Sequence, residues 1–268
     1  MDKLNKLRND LEMCDDVLID MLRLRYQIVQ ELINYKQENH MSVVQLDEED
    51  RKKKKFAKKL EDYEYSRSIM RVYDNIVYHS KRIQSHEVFG FNIFLIGFMG
   101  VGKSTLSRVL KDTFAMDVIE MDEIIAERNG MSISEIFDLH GEEYFRNEET
   151  NLLQECEGKK NQIVSCGGGV AMRQVNVDEM RKSGKVVLLT ASPATILKRV
   201  EDSHDRPLLE NNKTIEHISA LMTKRAPAYQ AAADIVVNTD GKTEIQICEE
   251  IIAKVNELNE QAQVKEQA

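Results

Sequence analysis

The residues best suited to chemistry form a glycine-rich loop that ends in a lysine and two hydroxyl side chains. Residues 97–105 read Gly-Phe-Met-Gly-Val-Gly-Lys-Ser-Thr and fit the pattern G-x-x-x-x-G-K-[ST]. A strand-like apolar run precedes the loop at residues 91–96, and a helical pattern follows it. In that context backbone N–H groups cradle phosphate oxygens, Lys103 reaches the β- and γ-phosphates, and Ser104 ligates Mg²⁺. The loop therefore predicts a nucleotide site, and the alternative is a chance glycine-rich turn.

Two carboxylates follow the next strand-like run, at residues 117–119. Glu120 and Asp122 are two positions apart, and on an extended segment such side chains point to the same side. Beside a phosphate loop they are placed to hold water on Mg²⁺ and to orient a nucleophilic hydroxyl. The alternative is an acidic cap that opens a helix near Asp122.

A third strand-like run ends in three glycines, residues 167–169. Bare backbone at the carboxyl edge of an open α/β sheet is where ligands bind, although a loose loop is the alternative. Further on, Arg206 lies in a polar stretch, residues 201–213. A polar stretch that carries an arginine suits a mobile lid that excludes water during transfer.

Arg146 lies in an acidic stretch just after a Gly-Glu turn. By spacing alone it is an ion-pair partner of Glu142, Glu143 or Glu149 on one helix. Arg225 opens a second arginine motif, Arg-Ala-Pro-Ala-Tyr. Paired arginines would instead favour an acceptor that carries a carboxylate.

With these motifs in this order, residues 91–258 resemble the shikimate kinase family. The resemblance implies an α/β fold of the P-loop kinase type, with a five-stranded parallel sheet flanked by helices. It also implies transfer of the γ-phosphoryl group of ATP to the 3-hydroxyl of shikimate, with Mg²⁺, in aromatic amino acid biosynthesis. Two other interpretations remain: another small-molecule P-loop kinase with a carboxylate-bearing acceptor, and a nucleotide-binding interaction protein without activity. No Asn-Lys-x-Asp motif for guanine is found.

The resemblance also assigns roles to residues. Asp122 matches the base, Lys103 and the lid residue Arg206 neutralise phosphate charge, and Ser104 ligates Mg²⁺. Glu120 stands where the family usually has aspartate and would act on Mg²⁺ through water. The residues implied for ATP are Gly100, Val101, Gly102, Lys103, Ser104, Thr105, Arg199 and Arg206. The residues implied for shikimate are Asp122, Arg146, Gly168, Gly169 and Arg225.

The first third of the chain has a different character. Residues 1–89 contain no glycine and no proline, which indicates helices with short polar joints. We therefore expect an all-α domain at residues 1–86, a linker at 87–91, the α/β domain at 92–258 and a polar tail at 259–268.

An apolar stripe runs along the first helix. Its two rows repeat every seven residues and comprise Leu4, Leu11, Leu18, Arg25 and Leu32, and Leu7, Cys14, Met21, Ile28 and Tyr35. A domain of this size cannot cover so long a stripe alone, so we expect a homodimer. Arg25 and Lys36 share one helix face and are either satisfied polar residues or an anion site.

Residues 3–86 resemble the all-helical chorismate mutase family. The positions that carry the resemblance are Arg8, Arg25, Lys36, Glu49, Ser80 and Gln84. In that family the domain is an intertwined dimer, which places Arg8 in the partner's site. Two positions depart from the family's loop: Gln45 replaces an aspartate, and Glu48 replaces an arginine. The domain is thus either a chorismate mutase that forms prephenate or a degenerate dimerisation and regulatory module.

Composition limits the partners and the compartment. The whole net charge of −9 falls on residues 91–268, because residues 1–90 hold 17 basic and 17 acidic residues. An acidic surface does not favour nucleic acid. The longest apolar run, residues 93–101, is too short to span a membrane, and no secretory signal is visible. The scattered cysteines favour the reducing cytoplasm.

Overall fold

The protein divides into two compact units. The computed structural model describes residues 2–39, 41, 46–201 and 214–266. The helical unit comprises Met1–Val88, and the sheet unit comprises Phe89–Ala268.

The helical unit contains α1 (Asp2–Glu38), α2 (Leu46–Lys59) and α3 (Ser66–Val88). Asp2 in the first turn of α1 and Lys36 in its last turn both suit the helix dipole. Val29 and Ile33 are the apolar side chains of α1 that the unit buries, and α1 packs on α3. Most of the predicted stripe on α1 is therefore not covered within one chain.

The stripe residues Leu4, Leu7, Leu11, Leu18, Met21, Ile28, Leu32 and Tyr35 are 42–63% exposed. Exposed apolar surface of this extent on one helix face marks an interaction site.

The junction between the units differs from the expected linker at residues 87–91. The helix α3 continues to Val88, because the first helix-breaking residue of the chain is Gly90. Phe89 is fully buried, and its ring stands edge-on to Phe114 at 5.2 Å and to Phe91 at 6.3 Å. The junction is thus part helix and part core.

The sheet unit confirms the expected α/β fold. Its five parallel strands have the order β2-β3-β1-β4-β5. They are β1 (Asn92–Gly97), β2 (Asp117–Glu120), β3 (Gln162–Ser165), β4 (Gly184–Thr190) and β5 (Ile235–Asn238). Every residue of β1 is buried, as expected for the middle strand of a parallel sheet covered on both faces.

Seven α-helices flank this sheet in the described residues. They are α4 (Lys103–Phe114), α5 (Met121–Asn129), α6 (Ile133–Gln154), α7 (Gln174–Ser183), α8 (Pro193–Val200), α9 (Ile215–Ala232) and α10 (Glu244–Glu266). One core joins Phe94 and Ile96 of β1 to apolar side chains of α5, α6, α7 and α9. The helices α4 and α10 pack on each other and on the sheet. None of the described helices is both long enough and apolar enough to cross a membrane.

The last helix, α10, runs through most of the polar tail, since it ends at Glu266. The carboxyl ends of all five strands lie along one edge of the sheet, and the candidate site is built there.

Candidate active site and a second pocket

The phosphate loop follows β1 at the centre of the sheet. Gly97 has φ +140°, and a Cβ there would collide with the carbonyl oxygen of Leu189 in β4. Only glycine therefore fits where the loop leaves the strand. Gly100 and Gly102 also have positive φ, and Val101 between them is buried.

Lys103 is the first residue of α4, and its side chain folds back over the loop. Its Nζ donates to the carbonyl oxygens of Gly97 at 3.0 Å and Phe98 at 3.3 Å. The helix begins at this point, so its N-terminal backbone N–H groups face the loop, and Thr105 lies in the first turn. The loop and the lysine together form a cationic anion-binding cradle.

Ser104 and Glu120 come together, as a Mg²⁺ site requires. The Ser104 hydroxyl donates to Glu120 Oε2 at 3.0 Å, and the Ser107 hydroxyl donates to Glu120 Oε1. A hydroxyl beside a carboxylate is an oxygen donor set that Mg²⁺ accepts, with its remaining ligands from water and phosphate. Ser104 and Glu120 therefore fit the Mg²⁺ ion that the sequence predicts.

The prediction that Glu120 and Asp122 share an extended segment is wrong. The strand β2 ends at Glu120, and α5 begins at Met121, so Asp122 lies in the first turn of a helix. The two carboxylates consequently point to different places. Asp122 Oδ1 reaches residues 167–169, here called the glycine loop, where it would lie 2.9 Å from a Cβ at Gly167.

Arg146 is both an ion-pair partner and a neighbour of the glycine loop. It lies in the second half of α6, beyond a break at Gly141, where φ is +81°. Its guanidinium contacts Glu149 Oε2 at 2.8 Å and Glu142 Oε1 at 2.9 Å. The same guanidinium lies against the α-carbon of Gly169, leaving no room for a side chain there.

Glu149 is fully buried beside this arginine. Burial raises the pKa of Glu149 to about 7; Arg146 opposes this shift, and the negative charge of Asp122 adds to it. Within the described residues Glu149 Oε1 has no hydrogen-bond partner. Glu149 thus holds Arg146 with one oxygen and faces the glycine loop with the other.

Arg225 approaches the glycine loop from α9. Its Nη1 donates to the carbonyl oxygen of Gly168 at 3.2 Å, and its guanidinium lies 5.8 Å from the ring centre of Phe98. The Tyr229 hydroxyl, one helical turn later, donates to the same carbonyl at 2.5 Å. Arg225 therefore bridges the glycine loop and the phosphate loop.

The two loops lie next to each other at Gly168. A Cβ on Gly168 would be 3.7 Å from Arg225 Nη1 and 4.0 Å from both Gly97 O and Met99 N. Arg146 lies at the next residue, Gly169. The phosphate cradle and the arginine pair are thus adjacent, and the carboxylate of Asp122 lies at the neighbouring Gly167.

Arg199 and Arg206 are the two remaining residues predicted for ATP. Arg199 Nη1 donates to Val101 O and to Thr239 Oγ1, each at 3.1 Å, so it ties the phosphate loop to the segment after β5. Arg206 lies outside the described residues, as does the rest of the predicted lid at residues 202–213.

The helical unit contains a second pocket, with a cavity of about 130 Å³. Among the predicted residues, those that line it are Arg25, Lys36, Glu49, Ser80 and Gln84. Arg25 donates to the Ser80 hydroxyl and to Ile76 O at 3.5 Å. Arg8 is exposed and does not line this pocket, and Gln45 lies outside the described residues.

The sheet unit matches one family along most of its length. The family model "Shikimate kinase" aligns with residues 99–256, which is more than half of the chain. The chain belongs to the shikimate kinase family.

Individual shikimate kinases agree with this assignment. The enzyme of Geobacter sulfurreducens is 41% identical over 168 residues, which cover 63% of this chain and 92% of the relative. That of a Sulfurihydrogenibium species is 40% identical over 164 residues, or 61% and 97% of the two chains. The structure of the Acinetobacter baumannii shikimate kinase in complex with shikimate superposes with a TM-score of 0.57 at 29% identity, covering 60% and 90%.

The helical unit matches a different model. Residues 7–85 align with "Chorismate mutase type II". The resemblances found in the sequence for both units are therefore confirmed.

Sequence reasoning missed several residues of the shikimate kinase site. Glu149 and Tyr229 were visible only as helical neighbours of Arg146 and Arg225, at spacings of three and four. Asn176 carries no motif, yet it is fully buried and donates to Val170 O at 3.1 Å. Its Oδ1 lies 2.6 Å from the Thr150 hydroxyl, which is one turn after Arg146 on α6. Asn176 thus links the glycine loop to the helix that carries Arg146.

Proposed function

We propose that the protein transfers the γ-phosphoryl group of ATP to the 3-hydroxyl of shikimate. The observation that carries this proposal is the contact of two subsites at Gly168. At Gly168 the phosphate loop and the guanidinium of Arg225 come together, and the guanidinium of Arg146 lies at the next residue, Gly169. Two arginines can fix a carboxylate by paired hydrogen bonds, and a fixed carboxylate places a hydroxyl of the same ring beside the γ-phosphate.

Each residue then has a separate task. Lys103 neutralises charge on the β- and γ-phosphates, and Asp122 accepts the proton of the acceptor hydroxyl as its oxygen bonds to phosphorus and ADP departs. Ser104 would hold Mg²⁺ directly and Glu120 would hold it through water, and the ion would supply further neutralisation of the phosphate charge. We assign Arg199 to ATP binding and Arg206 to the phosphates on the strength of the family pattern.

The experiment measures ADP release by the full chain with shikimate, gluconate and a nucleoside monophosphate as acceptors. We expect turnover that requires shikimate and Mg²⁺. Turnover with another carboxylate-bearing acceptor instead would favour the alternative kinase assignment. If none of the three acceptors gives ADP release, kinase activity is refuted.

The carboxylate clamp has its own test. Arg146→Ala should raise the KM for shikimate about 100-fold and leave the KM for ATP within about twofold, because a charge-assisted bidentate contact is lost. The same variant should show a much smaller penalty with the amide of shikimate, which lacks the carboxylate charge. Arg128→Ala is the matched control, since Arg128 pairs with Glu155 outside the site. An unchanged KM for shikimate would contradict the clamp.

We also propose that the helical unit rearranges chorismate to prephenate. The pocket that supports this gathers Arg25, Lys36, Glu49, Ser80 and Gln84. An intramolecular rearrangement of a dicarboxylate needs its carboxylates held in one geometry, which paired cations provide. Prephenate formation is measured in parallel with ADP release, and binding of chorismate without conversion would favour the regulatory alternative.

The helical unit is further proposed to form a homodimer along α1. Eight exposed apolar side chains repeat with the heptad spacing that lets one helix pack on a second copy of itself. The double variant Leu11→Glu and Leu18→Glu should halve the mass of the full chain in sedimentation, whereas Asn9→Glu on the opposite face should not. A monomeric unaltered chain would refute the dimer.

The compartment proposed is the reducing cytoplasm. The four cysteines are free thiols, and Cys156, Cys166 and Cys248 are buried in the sheet unit.

A further inference from the structure

The pocket of the helical unit carries more positive charge than the chorismate mutase resemblance accounts for. Among the described residues its cationic lining consists of Arg25, Lys36, Lys52, Lys53 and Lys81. Its carboxylates are Glu48 and Glu49. The resemblance accounts for the first two cations only.

Glu48 stands where the family's loop has an arginine, and the structure shows how its charge is neutralised. Its two oxygens accept from Arg51 Nε and Nη2, each at 2.7 Å, and Lys52 Nζ lies 3.4 Å away. These cations lower the pKa of Glu48 to about 2, so it stays ionised and paired along α2. Glu48 therefore does not repel an anion strongly, but it supplies no cation either.

Lys81 lines the same pocket and can supply the cation that Glu48 does not. It directly follows Ser80 on α3, and its side chain is only 16% exposed. Its Nζ lies 2.6 Å from Glu49 Oε2, one of the predicted ligand residues, and Lys81 lines the pocket. Lys52 and Lys53 are more exposed, and each is paired, with Glu48 and Asp74 respectively.

We propose that Lys81 binds a carboxylate of a small dicarboxylate ligand in this pocket, in place of the arginine whose position Glu48 occupies. This inference rests on the proposed ligand of the helical unit and names a residue for it that the family pattern does not contain.

The state of Lys36 supports an anionic ligand. Lys36 is buried, and burial lowers its pKa, with a further lowering from the charge of Lys52 and an opposing effect of Glu49. A buried lysine close to a second lysine is an arrangement that a bound anion stabilises. One internal ion pair, Lys81 with Glu49, does not remove this excess of positive charge.

The test uses the full chain and chorismate as the probe. The dissociation constant of chorismate, or its KM if prephenate forms, is measured for Lys81→Met, Lys81→Gln and Lys81→Arg. We expect the first two to weaken binding at least about 10-fold, through loss of a charge-assisted hydrogen bond, and the arginine variant to stay within about threefold. Lys54→Met, an exposed lysine of the same helix as Lys52, is the matched control and should bind as the unaltered chain does.

Two measurements separate ligand binding from a purely structural role. Chorismate binding by Lys81→Met should depend less steeply on salt than binding by the unaltered chain. The double variant Lys81→Met with Glu49→Gln removes both partners of the internal pair. If that variant binds chorismate as tightly as the unaltered chain, Lys81 only neutralises Glu49, and the proposal is overturned.

The outcomes also distinguish this inference from the proposed function. If the unaltered chain neither binds nor converts chorismate, both fall. If it does so and Lys81→Met behaves identically, only the role of Lys81 falls. ADP release with shikimate, together with helical content by circular dichroism, verifies that each variant is folded.

Discussion

Glu149→Gln should make the stability of the sheet unit less dependent on pH. Glu149 is fully buried, and its pKa is raised from 4.5 to about 7, mainly by burial. Glutamine keeps the size of the side chain and an oxygen for Arg146 while removing the ionisation.

The direction of the change in stability with pH follows from proton binding. Because the folded protein holds this proton more tightly than the unfolded chain, the native state is favoured at low pH, and that stability is lost as pH rises from 4.5 through about 7. A shift of this size corresponds to about 3 kcal/mol, at 1.36 kcal/mol for each pH unit. Above pH 8 no further loss is expected from Glu149.

The assay measures the free energy of opening of β1 by hydrogen exchange at pH 5 and pH 8, corrected for intrinsic exchange rates. We expect Glu149→Gln to match the unaltered chain near pH 5 and to exceed it by about 2.5 kcal/mol near pH 8. The control is Glu142→Gln, which removes the other carboxylate on Arg146 at a position that is 67% exposed. That change should alter stability by less than about 1 kcal/mol at either pH.

A result with parallel pH profiles for the unaltered chain and Glu149→Gln would refute the reasoning. It would mean that Arg146 compensates the burial of the Glu149 carboxylate completely. A variant less stable than the unaltered chain at pH 8 would lead to the same conclusion.

Three other changes test the frame of the site. Glu120→Gln should raise the Mg²⁺ concentration for half-maximal ADP release about 10-fold, and Glu120→Asp much less, in a magnesium titration at fixed ATP. Asn176→Leu should raise the KM for shikimate about 10-fold and leave the KM for ATP unchanged, because it releases the glycine loop from α6. Steady-state kinetics in which both KM values change equally would contradict this role. Gly97→Ala should lower the unfolding free energy by more than about 3 kcal/mol in urea titration, because its Cβ meets Leu189 O, whereas Gly130→Ala, with open space around it, should lose only about 1 kcal/mol.

The phosphate loop could be predicted from sequence because its chemistry is local. Residues 97–105 contain the glycines, the lysine and the serine within one strand-loop-helix unit, so the spacing alone specifies the geometry. The five-stranded parallel sheet followed from the family resemblance, and the structure confirms it and adds the order of the strands.

The prediction failed where one residue decides between strand and helix. Glu120 is the last residue of β2, and α5 begins one residue later, so the spacing of Glu120 and Asp122 does not place them on one face. The short apolar run at 117–119 gives no signal for that boundary. Asn176 was missed and Glu149 was predicted only as an ion-pair partner of Arg146, because their importance comes from burial against elements distant in sequence.

The sheet unit is acidic, but its carboxylates hold its cationic side chains in position at the site. Its acidic character is therefore compatible with two anionic substrates. Arg146 is held by Glu142 and by Glu149, and burial raises the pKa of the Glu149 carboxyl to about 7. A substrate carboxylate that reaches Arg146 adds negative charge beside Glu149, which favours the protonated form further. In the proposed clamp, Arg146 thus exchanges the Glu149 carboxylate for the substrate carboxylate. Negative charge therefore does not build up in the buried site when the acid binds.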